Sequence, residues 1–374
     1  MNARGILLIG LALLSGSLFA QEKKEISLLF IGDVMQHQSQ INHAYNPNTK
    51  TYEYDPCFEE VSSIIEQSDF CIANLEVTLA GPPYKGYPQF SSPDELASAL
   101  KRAGVDMLVT ANNHSCDRRK KGLERTINTL ENLGMEHTGT FINSQTRKLN
   151  YPYMIEEKGF KLALLNYTYG TNGLPVDAPN VVNLINRDQI LVDIKKAKDK
   201  SPDKIIAFLH WGPEYRSTPS SSQTQLADFL IKNGVDIIIG SHPHVLQPME
   251  NYYDENLNKD IVKVYSLGNY ISNQRDRYRD GGAMSRIVLE KDENGVRVKN
   301  TGYYLTWVQT KYVEGRKRWI ILPVSKFENS TELDAASKEK MDIFIKDSRK
   351  LMEEKNLNVF EYNFDPESDS WTLH

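Results

Sequence analysis

Disulfide scaffolding, bulk polyanion binding and a membrane-spanning body are each excluded by something the chain has little of. Cysteine is scarce: Cys57, Cys71 and Cys116 are three in 374 residues, too few and too oddly numbered for a disulfide framework. Cys71 lies inside an apolar strand-like run, where a thiol behaves as a small hydrophobe. The expectation is no structural disulfide, with a Cys57–Cys116 pair as the alternative. An excess of positive charge is also missing. A formal charge of −5 and a pI near 6.0 give no global attraction to nucleic acid or anionic membranes, so any polyanion would be held by a local patch. The N-terminal apolar run, Ile6 to Leu14, is shorter than the roughly 18 residues a spanning helix needs. No internal repeat or low-complexity tract is present.

What is there begins with that N-terminus. Arg4, the apolar stretch, and the small-residue segment Ser15 to Ala20 before the charged Gln21-Glu22-Lys23-Lys24 read as a secretory signal peptide over residues 1–20, an uncleaved anchor being the alternative. No cysteine near the cleavage point supplies a lipid anchor. The mature protein is then expected in the periplasm or outside the cell, with no spanning segment left. At 40% hydrophobic and 25% charged, the remainder has an ordinary globular composition. It divides into one domain over residues 21–330 and a C-terminal helix and tail, residues 331–374, packed on that domain.

Short apolar runs alternate with helical patterns, which predicts an α/β layered fold. The strand-like runs are Ile26 to Ile31, Phe70 to Ala73, Asp106 to Thr110, Lys204 to Leu209 and Val235 to Ile239. Their near-continuous apolar character implies a sheet covered on both faces. Helices are marked by a capping box at Ser92-Pro93-Asp94-Glu95 closing at Gly104, by Arg119 to Leu133 before Gly134, and by Gln223 to Lys232 before Asn233-Gly234. Beyond Gly281, the segments Met284 to Glu290, Val296 to Leu305 and Trp319 to Val324 predict antiparallel strands completing the second sheet of a sandwich. Glu332 to Glu354 predicts an amphipathic helix with Met341, Phe344, Ile345 and Leu351 on one face. Residues 363–374 read as a loose acidic tail.

Each of the five early strands ends on a polar or metal-competent residue, and open α/β sheets place their sites outside such carboxyl ends. Gly240-Ser241-His242-Pro243-His244 is the most informative, because two imidazoles flank a proline that restricts the backbone on both sides. Singly, each residue has a structural alternative: Asp33 could cap a helix, Asn113 could hold a left-handed turn, and His210 could be a hydrogen-bonded core residue. Their shared topological address argues for a site. Carboxylate, amide and imidazole without thiolate suit catalytic Mn, Fe or Zn better than a structural zinc.

Taken together, GDVM at 32–35, NLE at 74–76, NNH at 112–114, HWGPEY at 210–215, GSHPH at 240–244 and YSLGNYI at 265–271 resemble the CapA, or poly-γ-glutamate capsule synthesis, family, a branch of the calcineurin-like metallophosphoesterases. The resemblance runs from about Ile26 to Leu305 and implies a four-layer fold, a two-sheet sandwich flanked by helices. It implies one or two divalent ions held by Asp33, Glu76, Asn113, His210, His242 and His244, with Glu76 bridging. His114 would protonate a leaving oxygen or stabilise transition-state charge, Asp117 orienting its ring, and Glu214 would be an outer acceptor or a substrate contact. The metallophosphoesterase pattern has histidine where this chain has Met35. His37 would have to substitute, or one metal loses a ligand.

His43 and His137 have no partner motif and read as structural or solvent-exposed. Arg275, Arg277 and Arg279 interleave with Asp276 and Asp280 and read as a solvated loop, with a grip on an anionic substrate as the alternative. Tyr84, Tyr87, Trp211 and Tyr215 could line a polymer groove or simply pack. Two functions remain open: a metal-dependent hydrolase of a phosphoester in capsule or envelope material, or a non-catalytic accessory factor for an anionic polymer, working with envelope biosynthesis proteins.

Overall fold

The computed structural model describes residues 23–373; the predicted signal segment lies outside them. Its first strand, β1 (Lys24–Val34), is buried from Ile26 onward because both faces are covered. Alternate residues divide between two layers: Ile26, Leu28 and Phe30 face a core between two sheets, while Leu29 and Ile31 face helices. After α1 (Gln38–Ala44) and α2 (Glu59–Glu66), β2 (Phe70–Leu75) lies parallel to β1. Beyond α3 (Glu95–Arg102) and around α4 (Arg119–Asn132), β3 (Met107–Val109) and β4 (Glu136–Thr138) extend that sheet in parallel.

The chain then builds a second sheet. β5 (Tyr153–Glu157) and β6 (Phe160–Thr168) form a hairpin, and β6 is followed in parallel by β7 (Lys204–His210) and β8 (Ile237–Ser241). A second antiparallel pair, β9 (Leu246–Asp254) and β10 (Lys259–Leu267), closes the far edge. The outer face of this sheet is covered by α5 (Arg187–Asp199), through Ile190 and Ile194, and by α6 (Ser221–Lys232), through Leu226 and Leu230. Facing inner residues such as Phe30 and Phe208, with ring centroids 6.4 Å apart, fill the middle. Burying each such side chain stabilises the sandwich by about 1.5–3 kcal/mol. The result is the expected α/β four-layer arrangement: helices, sheet, sheet, helices.

The strands past Gly281 correct one expectation. They occur as β12 (Gly281–Asp292), β13 (Gly295–Val313) and β14 (Arg316–Pro323), preceded by the short β11 (Asn269–Ile271), but they return to the first sheet. β12 pairs antiparallel with β1 from Lys24 with Lys291 to Ile31 with Met284, taking the edge that β2 leaves open. The second sheet is completed instead by β5, β6, β9 and β10, whose runs are interrupted by Lys161, Asn166 and Lys263 and lack a clean apolar signature.

One helix cap and the C-terminal tail also differ. The Ser92 capping box does not form: the helix starts at Glu95, and Asp94 gives both carboxylate oxygens to Arg125 at 2.7 Å. The tail predicted to be loose pairs as β15 (Phe360–Asp365) and β16 (Ser370–Leu373), because Tyr362 stacks on Tyr304 at 4.5 Å and Trp371 packs edge-on to the same ring at 5.1 Å. α7 (Ala335–Lys355) lays Met341, Phe344, Ile345 and Met352 on the inter-sheet core, with Leu351 partly buried beside them. Cys57, Cys71 and Cys116 are buried free thiols.

Candidate metal centre

The expected site residues come together where the ends of strands from both sheets meet. Asp33 lies one residue from the end of β1, Glu76 follows β2, and Asn113, His114 and Asp117 follow β3; from the other sheet, His210 ends β7 and His242 and His244 follow β8. Glycine makes the convergence possible. A Cβ at Gly32 would lie 2.3 Å from the Gly268 carbonyl, and one at Gly240 would lie 2.0 Å from the Tyr265 carbonyl, so only glycine lets these backbones approach. His242 (φ +96°) and His244 (φ +58°) both sit in the left-handed region, a conformation that costs a non-glycine residue roughly 1–3 kcal/mol and clusters at functional sites.

Asp33, Glu76, Asn113, His114, Asp117, His210, His242 and His244 are all buried. Asp33 Oδ1 accepts from Asn74 Nδ2 at 2.8 Å, and its Oδ2 lies 3.0 Å from His244 Nδ1. His210 Nδ1 is 3.0 Å from Ser241 Oγ, while its Nε2 is 3.0 Å from Asn113 Oδ1 and 3.5 Å from Glu76 Oε1. His244 Nε2 is 3.8 Å from the same Glu76 oxygen. Asp117 Oδ2 accepts from Phe90 N at 2.6 Å and lies 2.8 Å from His114 Nδ1; the ring of His114 also packs edge-on against Phe90 at 4.6 Å.

Two groups of potential ligands share one member. Asp33, Glu76 and His210 form the first, Glu76, His242 and His244 the second, and within each the donor atoms lie within 4.8 Å of one another. Neither Glu76 oxygen has a hydrogen-bond partner, nor does His242 Nδ1. A buried carboxylate without a partner is costly unless a cation offsets it. Burial, with the Asp33 carboxylate adding to it, raises the Glu76 carboxyl well above its ordinary range. Burial lowers His210 well below the usual imidazole value and brings His242 to about 2, neighbouring imidazoles adding to both. Neutral imidazoles, an oxygen-rich carboxylate and orphaned buried atoms fit a divalent cation on either side of Glu76.

Met35 points the other way, into the core between the first sheet and its helices. His37 does not replace it: it belongs to neither ligand group, stands at the N-terminus of α1, and accepts from Asn273 N at 3.3 Å. Its ring is edge-on to Phe90 at 5.6 Å, the same ring that His114 packs against, and burial lowers it to about 4.

Tyr169, Glu214 and Tyr215 are exposed at the mouth. Tyr169 lies 4.6 Å from His242, and Tyr215 6.0 Å from His244, ring to ring; Tyr215 N donates to the Pro243 carbonyl at 2.8 Å. Glu214 makes its effect through charge, as one of the groups that raise Glu76. Trp211 is a core residue whose Nε1 donates to the Tyr265 carbonyl, while Tyr84 packs on Tyr52. His43 lies between Tyr312 and Trp319, and His137 is mostly buried on β4, away from the centre. Asn74, Asn112 and Tyr169 had no assigned role. Asn112 Nδ2 donates to Asn74 Oδ1 and to the Leu75 carbonyl, tying the loop after β3 to the end of β2. The motif NLE and the doubled asparagine of NNH carried that signal; Tyr169 follows a strand whose pattern concealed it.

The family model described as bacterial capsule synthesis protein PGA_cap matches residues 27–274. The capsule biosynthesis protein CapA of Bacillus anthracis is 30% identical over 268 residues, 68% of this chain and 61% of that protein. The PGA biosynthesis protein CapA of Bacillus subtilis (strain 168) is 28% identical over 280 residues, covering 72% and 69%. The chain thus spans about three fifths of the length of the first of these relatives. Among solved structures, the calcineurin-like phosphoesterase YfkN from Bacillus subtilis is similar with a TM-score of 0.43 and 13% identity, covering 88% of this chain and 98% of that one.

Proposed function

The chain belongs to the bacterial capsule synthesis family PGA_cap, and we propose that it is an exported, metal-dependent hydrolase of the phosphoesterase kind that acts on capsule or cell-envelope polymer. The observation that carries this reading is Glu76: a fully buried carboxylate with no hydrogen-bond partner, shared by two groups of potential metal ligands. Asp33 and His210 on one side, and His242 and His244 on the other, would hold divalent cations of the Mn, Fe or Zn class, with Asn113 beside His210 as a further oxygen donor. Such ions supply acidified water and charge stabilisation for phosphoryl transfer.

The protein's own groups do the rest. With Nδ1 assigned as donor to Asp117, His114 keeps Nε2 free to give a proton to a leaving oxygen when the ring is charged. Asn74 and Ser241 fix Asp33 and His210 before substrate arrives. Tyr169 and Tyr215 wall the opening, and Arg279, ion-paired with Asp276 and stacked 4.5 Å over Tyr215, stands at the rim, where an anionic substrate would compete with Asp276 for it. Export is supported by the signal pattern of residues 1–20, and among the described residues no helix is long and apolar enough to cross a membrane.

One observation favours a second reading, polymer binding without turnover. Met35 stands where the metallophosphoesterase pattern has a ligand, and His37 joins neither ligand group, so one cation has fewer protein donors. Hydrolysis of an aryl phosphate with added manganese, iron or zinc separates the two. The hydrolase reading expects metal-dependent turnover that His242→Ala removes together with bound metal. Retained affinity for an anionic polymer in that variant, with no turnover by the wild type on any ester, would favour the accessory role.

A further inference from the structure

The loop between β11 and β12 carries three arginines that do not share one face. Arg279 turns toward the metal centre, while Arg275 and Arg277 turn the opposite way, into a cavity of about 730 Å³. Its walls come from that loop, from Trp307 on β13, from Lys317 on β14, and from the first turns of α7 with Lys340. The solvated loop expected from the interleaved aspartates is therefore not what forms.

Three guanidinium nitrogens there, Arg275 Nη1 and Arg277 Nη1 and Nη2, are enclosed and have no hydrogen-bond partner. The nearby acids are engaged except for Asp280 Oδ1, itself buried without a hydrogen-bond partner, which pairs only loosely with Arg277 and leaves Arg275 Nη1 and Arg277 Nη2 with no acceptor. Asp280 Oδ2 accepts from Trp307 Nε1 at 2.9 Å, and its Oδ1 stays 3.6 Å from Arg277 Nη1. Asp334 caps α7 through Ser337 N at 2.9 Å, and Asp347 takes only Arg277 Nε, at 2.9 Å. The guanidinium carbon of Arg275 sits 5.6 Å from the Trp307 ring centroid, and that of Arg277 5.7 Å from Phe344, so both forks are held in place by aromatic faces. Burial draws the pKa of Arg275 down from the ordinary arginine value, Asp280 being the compensating charge. Arginine stays charged regardless, so enclosed N–H groups with no acceptor mark a place where an acceptor belongs.

We propose that this cavity is a second ligand site, separate from the metal centre, that binds an oxyanion group, carboxylate or phosphate, between the forks of Arg275 and Arg277 with Lys317 and Lys340 as flanking cations. Planar forks match the paired oxygens of either group.

The test is equilibrium titration of the full chain at low ionic strength with glutarate and, in parallel, inorganic phosphate, in wild type, Arg275→Gln, Arg277→Gln and His242→Ala. Arg275 makes no ion pair within hydrogen-bond distance, so Arg275→Gln leaves the fold intact and carries the test should loss of the Asp347 contact unsettle Arg277→Gln. The expected result is saturable binding of at least one probe, weakened about tenfold or more in Arg275→Gln, reduced by added salt, and unchanged in His242→Ala. The tighter probe identifies the ligand class. Absence of saturable binding of both probes, affinity unaffected by Arg275→Gln, or loss of binding in His242→Ala would overturn the assignment.

Discussion

Two fully buried carboxylates, Glu76 and Asp193, have opposite surroundings. Asp193, on α5, is met by Arg147 Nη2 at 2.5 Å, by the Tyr167 hydroxyl at 2.9 Å and by Gln189 Nε2 at 3.1 Å. The Glu76 carboxylate has imidazoles at 3.5 and 3.8 Å and no hydrogen bond to either oxygen. The protein completes the first site by itself and leaves the second incomplete. A buried charge with a full set of internal partners belongs to the architecture; one left open marks where something from outside is bound.

The comparison breaks most visibly if Glu76→Gln does nothing. The expected outcome is loss of metal content and of metal-dependent phosphatase turnover to background, with thermal stability in chelator unchanged or higher, because the amide removes an uncompensated buried carboxylate. Asp193→Ala should do the reverse. Leaving Arg147 charged and unpaired costs about 3–5 kcal/mol, read by denaturant unfolding, while the folded fraction keeps its metal. His114→Ala sharpens the division within the centre: kcat falls by about 10²–10⁴-fold with metal content unchanged, since His114 is placed for proton transfer and not for ligation.

The smallest effect is on pH dependence in chelator. His242 is lowered to about 2 and His37 to about 4 in the folded chain, from 6.5. Both depressions mean that below pH 6.5 the unfolded chain takes up protons the folded one refuses. Stability should therefore be full above that value and fall as pH drops, by about 2 kcal/mol per imidazole at pH 5. Unfolding midpoints independent of pH between 7 and 5 would contradict this account of the burial.

Much of the centre was legible because its residues follow strands with continuous apolar runs. β1, β2, β7 and β8 announce themselves, and so do Asp33, Glu76, His210, His242 and His244 at their ends. What was not legible has a physical cause in each case. β6 carries Lys161 and Asn166, so Tyr169 at its end was passed over, although Asn166 is buried and accepts from Ala111 N at 2.8 Å. The assignment of strands to sheets depends on long-range pairing that periodicity does not encode, hence the return of β12 to β1. Ser92 does not cap because the helix begins only at Glu95, with Asp94 as the preceding residue, and the Ser92 hydroxyl is buried without a partner. Arg275 and Arg277 read as solvated because alternation with aspartate hides which side of a loop each residue faces.

Crystals grown with manganese and measured at an anomalous wavelength test the central claim most directly. The account predicts anomalous density against the Glu76 carboxylate, flanked by Asp33 and His210, by His242 and His244, or by both pairs. A map with no such peak, and with both Glu76 oxygens hydrogen-bonded to protein groups, would contradict it.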